Sequence, residues 1–336
     1  YDDGLGPISG RAVVPDPEGL ELKQAYVHYA GLPRTVFTIG RQYINHRPVP
    51  FNRFIGDQGW RQHFQAFDAA RAVTLAIPDV IAEYTYTWNV NRTTRGWNRS
   101  PDARDYTMNS HWFNFQYSGL SIAKIEQYLY LLDYTSERAA KLSTVTAGLR
   151  IAGDRIIFPA TRFLYAGEYA YQGDYANNPF AIDANYSMGQ LGVSRVFDSP
   201  LESATLTFSY ELLGGKGGVN AFQTPLATLH VFQGFADRFL VTPGDGVADM
   251  HSGLSLKILG SNLGVIYHNF KSDRGSYDYG SEWDIAFEKP IDQNFLIGIQ
   301  YADYQANDNP RNLATNSLTG QAFDMRRFWT YVQFVY

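Results

Sequence analysis

Residues 82–90 read Ala82-Glu83-Tyr84-Thr85-Tyr86-Thr87-Trp88-Asn89-Val90. In an extended chain successive side chains point to opposite faces, so Ala82, Tyr84, Tyr86, Trp88 and Val90 share one side. Glu83, Thr85, Thr87 and Asn89 share the other. The same period sets Leu206, Phe208, Tyr210 and Leu212 against Thr205, Thr207, Ser209 and Glu211. It sets Trp283, Ile285 and Phe287 against Glu282, Asp284 and Glu288, and Phe295, Ile297, Ile299 and Tyr301 against Gly298, Gln300 and Tyr304. A soluble sandwich alternates too. Segment length and the aromatics separate the cases, since a strand of about 9–11 residues tilted about 45° crosses a bilayer and Tyr and Trp girdle its interfaces.

Composition narrows the choice. Of 336 residues 15% are aromatic and 18% charged, against about 25% charged in soluble domains. No apolar run approaches the roughly 18 residues of a spanning helix, and the chain is too aromatic for disorder. The absence of Cys excludes disulfide scaffolds, thiolate zinc sites and thiol catalysis. A net charge of −5 argues against nucleic acid as the partner.

Alternation predicts fifteen strands, at 21–31, 34–44, 67–77, 80–91, 110–119, 121–134, 141–152, 162–173, 183–197, 202–213, 251–259, 261–272, 279–289, 293–305 and 326–336. Short links are expected at Leu32-Pro33, Pro78-Asp79, Gly119-Leu120, Gly153-Asp154, Asp198 to Leu201, Gly260 and Pro290 to Asp292. Long ones alternate with them, at 45–66, 92–109, 135–140, 174–182, 214–250, 273–278 and 306–325. Turns on one rim and loops on the other describe a transmembrane antiparallel up-and-down β-barrel of the bacterial outer membrane, with periplasmic turns and a periplasmic C-terminus. The last strand, with Phe328, Thr330, Val332, Phe334 and Tyr336 on one face, reads as a signal for the barrel-assembly machinery, carried by Phe334 and Tyr336. Single-chain barrels have even strand numbers. An odd count therefore predicts one barrel of about 16 or 18 strands whose opening strand or strands precede Tyr1.

Three blocks carry a resemblance. They are Ile39-Gly40-Arg41-Gln42 with Arg53-Phe54-Ile55-Gly56-Asp57-Gln58-Gly59-Trp60-Arg61-Gln62 and Gln65 to Ala69; Thr224-Pro225-Leu226-Ala227-Thr228-Leu229-His230 with Phe232 to Asp237; and Tyr279 to Asp284 with Tyr301 to Tyr304. Together they are similar to the alginate-export family of outer-membrane porins. The resemblance implies a monomeric barrel of about 18 strands and a channel, without implying alginate as the solute.

Lipid-facing residues are apolar, so the polar face of each strand should line the lumen. This assigns Glu83, Lys124, Glu126, Glu168, Glu211, Lys257, His268, Glu282 and Asp284 to the pore wall, with Arg71, Arg162 and Arg327 as basic members. The loop 43–66 carries Arg47, Arg53 and Arg61 beside Arg41 and Arg71, with Phe51, Phe54, Ile55, Trp60 and Phe64. Such a patch is costly in free solvent, so the loop is expected to fold inward as a constriction, and its arginines to favour anions. The loop 214–250, with a mildly helical 222–241, is expected to plug the extracellular mouth through Phe222, Leu226, Leu229, Phe232, Phe235 and Phe239. Gly214-Gly215-Lys216-Gly217-Gly218 lacks the spacing of a phosphate loop. The basic loop 92–109, with Arg92, Arg95, Arg99 and Arg104, could meet lipopolysaccharide or simply be solvated.

The function that follows is passive passage of small hydrophilic, anionic solutes or oligosaccharides, with polysaccharide export open. Two alternatives are a barrel acting as a shell for a partner protein and a barrel hydrolase. The second needs a fixed His beside Ser or Asp, and the seven His show no spacing that recommends one. No catalysis, metal or organic cofactor is expected. The expected partners are outer-membrane lipid, lipopolysaccharide, the assembly machinery and the solute.

Overall fold

The computed structural model describes residues 20–49, 51–60, 63–93, 104–217, 220–307 and 323–334. Fifteen strands follow in chain order. They are β1 (Ala25–Leu32), β2 (Thr35–Gln42), β3 (Ala66–Thr74), β4 (Val80–Asn91), β5 (Asp105–Tyr117), β6 (Lys124–Leu132), β7 (Thr144–Phe158) and β8 (Thr161–Asp174). The rest are β9 (Asp183–Val196), β10 (Leu201–Leu213), β11 (Val247–Ile258), β12 (Ser261–Lys271), β13 (Asp278–Pro290), β14 (Phe295–Ala306) and β15 (Met325–Phe334). Each pairs antiparallel with its sequence neighbours, giving one up-and-down sheet ordered β1 to β15. Among the described residues no ladder joins β15 to β1.

The period-two pattern sorts the side chains onto two surfaces. Tyr84, Trp88, Phe113, Phe115, Leu149, Ile151, Tyr169, Leu191, Leu206, Phe208, Trp283, Ile285, Ile297, Ile299, Phe328 and Val332 lie more than a third exposed and form an apolar belt. An area of that size has no stable place in water and matches a lipid-facing band. The other surface carries Thr85, Asn114, Glu126, Thr146, Glu168, Gln172, Glu211, Asp249, His268, Glu282 and Asp284, all buried. Buried polar groups of this density face a wet or hydrogen-bonded interior rather than a hydrocarbon core.

Four expectations change. The turn between β7 and β8 falls at Pro159-Ala160 instead of Gly153-Asp154, because Gly153 and Asp154 stay in the ladder opposite Tyr165 and Leu164. Val90 is buried, since a bulge between Thr87 and Asn89 reverses the alternation at the end of β4. Aromatics are not confined to the lipid side. Trp112, Tyr128, Tyr130, Tyr134, Tyr186, Phe270, Tyr279 and Tyr304 are buried in one internal cluster with loop residues. Residues 222–241 form turns and bridges instead of a helix, consistent with Pro225, Gly234 and several positive-φ positions interrupting the helical spacing.

Candidate functional site

The two long loops meet inside the sheet. Loop 43–65 joins β2 to β3, and loop 214–246 joins β10 to β11. Ile44, Phe54 and Ile55 of the first and Phe222, Leu226, Phe235 and Phe239 of the second are buried. Ile55 and Leu226 form a parallel bridge. The Gly56 amide donates to the Leu226 carbonyl at 3.0 Å, and the Thr228 amide to the Asn52 carbonyl at 2.9 Å. Gln58 Nε2 donates to the Ala227 carbonyl and Trp60 Nε1 to the Thr228 carbonyl, each at 3.0 Å. A Cβ on Gly56 would come within 2.5 Å of Asn52 Cβ and 2.8 Å of Thr228 Oγ1, so only glycine allows this approach.

Side chains of the wall hold both loops. His46 bonds Tyr130 through Nδ1 at 3.0 Å and Glu83 through Nε2 at 3.2 Å. Arg47 reaches Glu126 on β6 at 3.2 Å and Glu168 on β8 at 2.6 Å, while Tyr128 donates to Glu168 at 2.7 Å. Burial acts to lower the Arg47 pKa, but Glu168 and Glu126 hold it well above the ordinary guanidinium value. Arg53 pairs with Glu211 on β10 at 2.8 Å and donates to Gln233 at 3.1 Å. Its guanidinium also covers the Phe232 ring at 4.6 Å, a cation–π contact.

The tip of the second loop is anchored on β13 and β15. Asp284 accepts the Phe235 amide at 2.9 Å and Glu282 the Ala236 amide at 2.6 Å. Gly234, at φ +84°, has no room for a Cβ, which would lie 2.5 Å from the Glu282 carboxyl carbon. Asp237 accepts from Arg327 at 2.9 Å and pairs with His230 at 2.9 Å, and His230 stacks on Trp60 at 3.9 Å. Arg238 lies over the rings of Tyr304 and Phe323, and burial lowers its pKa.

The expected basic residues thus separate. Arg47, Arg53, Arg71 and Arg327 meet carboxylates on the inner face, with Arg71 on Glu83 at 2.6 Å. Arg150, near Glu168 at 3.6 Å, joins them. Arg41 does not. It shares the face of exposed Phe37 and Ile39, opposite buried Thr38 and Gln42, and pairs at the long-loop rim with Asp68 at 2.7 Å. Arg162 shares the inner parity of Glu168 but sits at the short-turn rim with Asp154, 58% exposed. Lys124 and Lys257 likewise end at that rim, the latter on Glu202 at 2.9 Å. Glu83, Glu126, Glu168, Glu211, His268, Glu282 and Asp284 stand on the inner face. Leu229 and Phe232 are half-buried in the plug loop. Phe334 lies exposed against Phe295. Arg61, Arg95, Arg99 and Tyr336 fall outside the described residues.

In three of the inner pairs the arginine is the more exposed partner, Arg71 25% against 7% for Glu83, Arg150 28% against none for Glu168 and Arg327 24% against 5% for Asp237, whereas Arg53 at 2% lies as deep as Glu211 at 5%. Glu83 and Glu168 belong to wall strands, as do their arginines, while Asp237 reaches Arg327 of β15 from the second loop. Sequence reading missed Tyr128, Tyr130, Gln233, Asp237 and Asp249 as parts of this network, and left His46 and His230 without a role. Their only advance signal was inward parity or membership of the two apolar loops.

Comparison with solved structures agrees with this architecture. Acinetobacter baumannii OccAB4 superposes with a TM-score of 0.62 at 13% identity, over 90% of this chain and 73% of that one. Pseudomonas aeruginosa OccD3 gives 0.62 at 14%, over 94% and 78%. Pseudomonas aeruginosa OpdK, solved with vanillate, gives 0.61 at 10%, over 90% and 77%. These neighbours are outer-membrane porins, non-enzymatic channels, and the chain has their fold. They do not support the alginate-export resemblance. No protein-family model and no curated protein matches the chain.

Proposed function

We propose that this protein is an outer-membrane channel for passive passage of small hydrophilic anions. The observation that carries the reading is that the guanidinium groups of Arg71, Arg150 and Arg327 are the more exposed partners of their ion pairs on the inner face. A solute carboxylate in the lumen meets N–H donors first, and the low-dielectric wall strengthens that attraction. Two loops packed together inside the sheet narrow the passage, which favours small solutes over a polymer such as alginate. Vanillate, seen with OpdK, is a small aromatic carboxylate of the kind this wall suits. In this reading the long loops are extracellular, the turns and C-terminus periplasmic, and the barrel monomeric. The rim cluster at Arg41 then lies at the level of lipopolysaccharide headgroups. Liposome swelling tests the proposal with the purified full chain. Small aromatic carboxylates should enter faster than neutral solutes of the same size, and equal or reversed rates would contradict it.

A further inference from the structure

Three side chains on the inner face of β11 and β12 take no part in the loop anchoring described above. Asp249 and His251 stand two residues apart on one face of β11, and His251 is the direct cross-strand partner of His268 on β12. His251 Nδ1 lies 3.2 Å from Asp249 Oδ2, and His268 Nδ1 lies 2.9 Å from the same oxygen. One donor atom from each residue falls within 4.8 Å of the other two. We propose that Asp249, His251 and His268 form a site for a divalent transition-metal ion of the zinc type.

The chemistry of the donors supports this assignment. Two imidazoles and one carboxylate suit a borderline ion such as Zn²⁺, whereas Ca²⁺ and Mg²⁺ need more oxygens. Bonds of about 2.0–2.1 Å in a tetrahedron place ligand atoms roughly 3.3 Å apart, and the two His–Asp spacings here are 3.2 and 2.9 Å. A second observation concerns the far side of the His268 ring. Asp284 Oδ2 on β13 lies 3.5 Å from Nε2. A carboxylate on the far side of the ring is the kind of neighbour that orients metal-bound histidines. Asp249 and His268 are buried, while the His251 side chain is 22% exposed. That opening gives an ion a way in and leaves its fourth position to water.

The test uses the purified full chain in detergent, stripped with a chelator. Titration calorimetry with Zn²⁺ should give one ion per chain. Co²⁺ should produce the strong visible absorption of a tetrahedral site, abolished by added Zn²⁺. His251→Gln, at a partly exposed position, should keep the fold and weaken Zn²⁺ binding at least about tenfold. Absence of stoichiometric Zn²⁺ binding, a weak octahedral Co²⁺ spectrum, or wild-type affinity in His251→Gln would each overturn the proposal. The wild-type arms need no variant, so they decide the matter even if a substitution fails to fold.

Discussion

Arg53 and Glu211 show what single residues do in this interior. Both side chains are almost fully buried, and their 2.8 Å contact links the first loop to β10. Removing one partner of a buried pair leaves the other charge stranded, at a cost of about 3–5 kcal/mol. Arg53→Met should therefore lower the denaturation temperature of the purified protein and loosen the loop. Arg53→Met with Glu211→Leu should recover most of the loss, because an apolar pair carries no stranded charge. Unchanged melting of the single variant would show that the pair contributes nothing. Arg71 makes a different prediction. Its guanidinium is partly exposed beside Glu83, so Arg71→Gln should reduce anion preference in bilayer recordings. Arg162→Gln, at the solvated rim, should leave that preference as it was. Equal effects at both positions would remove the distinction drawn between wall and rim.

At the scale of elements, the strands were legible and the site only partly so. Fifteen alternating segments became fifteen strands because each local pattern of apolar and polar residues agrees with its ladder. The burial of Phe54 and Ile55 in loop 43–65 follows from their apolar side chains. The pairings were not legible. Arg53 meets Gln233 across 180 residues of sequence, and no local pattern encodes such a contact. Arg41 was misread because its charge suggested the lumen, while its parity with Phe37 and Ile39 places it outside. In the second loop, Phe222, Leu226 and Leu229 imitate helical spacing, but backbone bonds to the first loop and to Glu282 and Asp284 replace helical ones. Gly234→Val puts a branched side chain into the Glu282 carboxyl group at a positive φ, so the tip should detach from β13. Single-channel current should then rise and grow noisier. Quiet, wild-type current from this variant would mean that the anchoring does not constrict the passage.

The described residues form a sheet whose outer face is an apolar belt and whose inner face is a network of ion pairs packed against two loops. Acidic and basic groups both line it, so net charge alone does not set its preference among ions. Under the proposed function it is set by which partner of each pair is the more exposed. The guanidinium groups of Arg71, Arg150 and Arg327 are the more exposed partners of their pairs, and under the proposed function the local field there attracts anions. The reversal potential of the purified full chain, in a planar bilayer with unequal salt on the two sides, reads that field directly. The reversal potential should take the sign set by anion permeation and weaken at high salt as the fixed charges are screened. A reversal potential of the opposite sign, with cations more permeant, would contradict it.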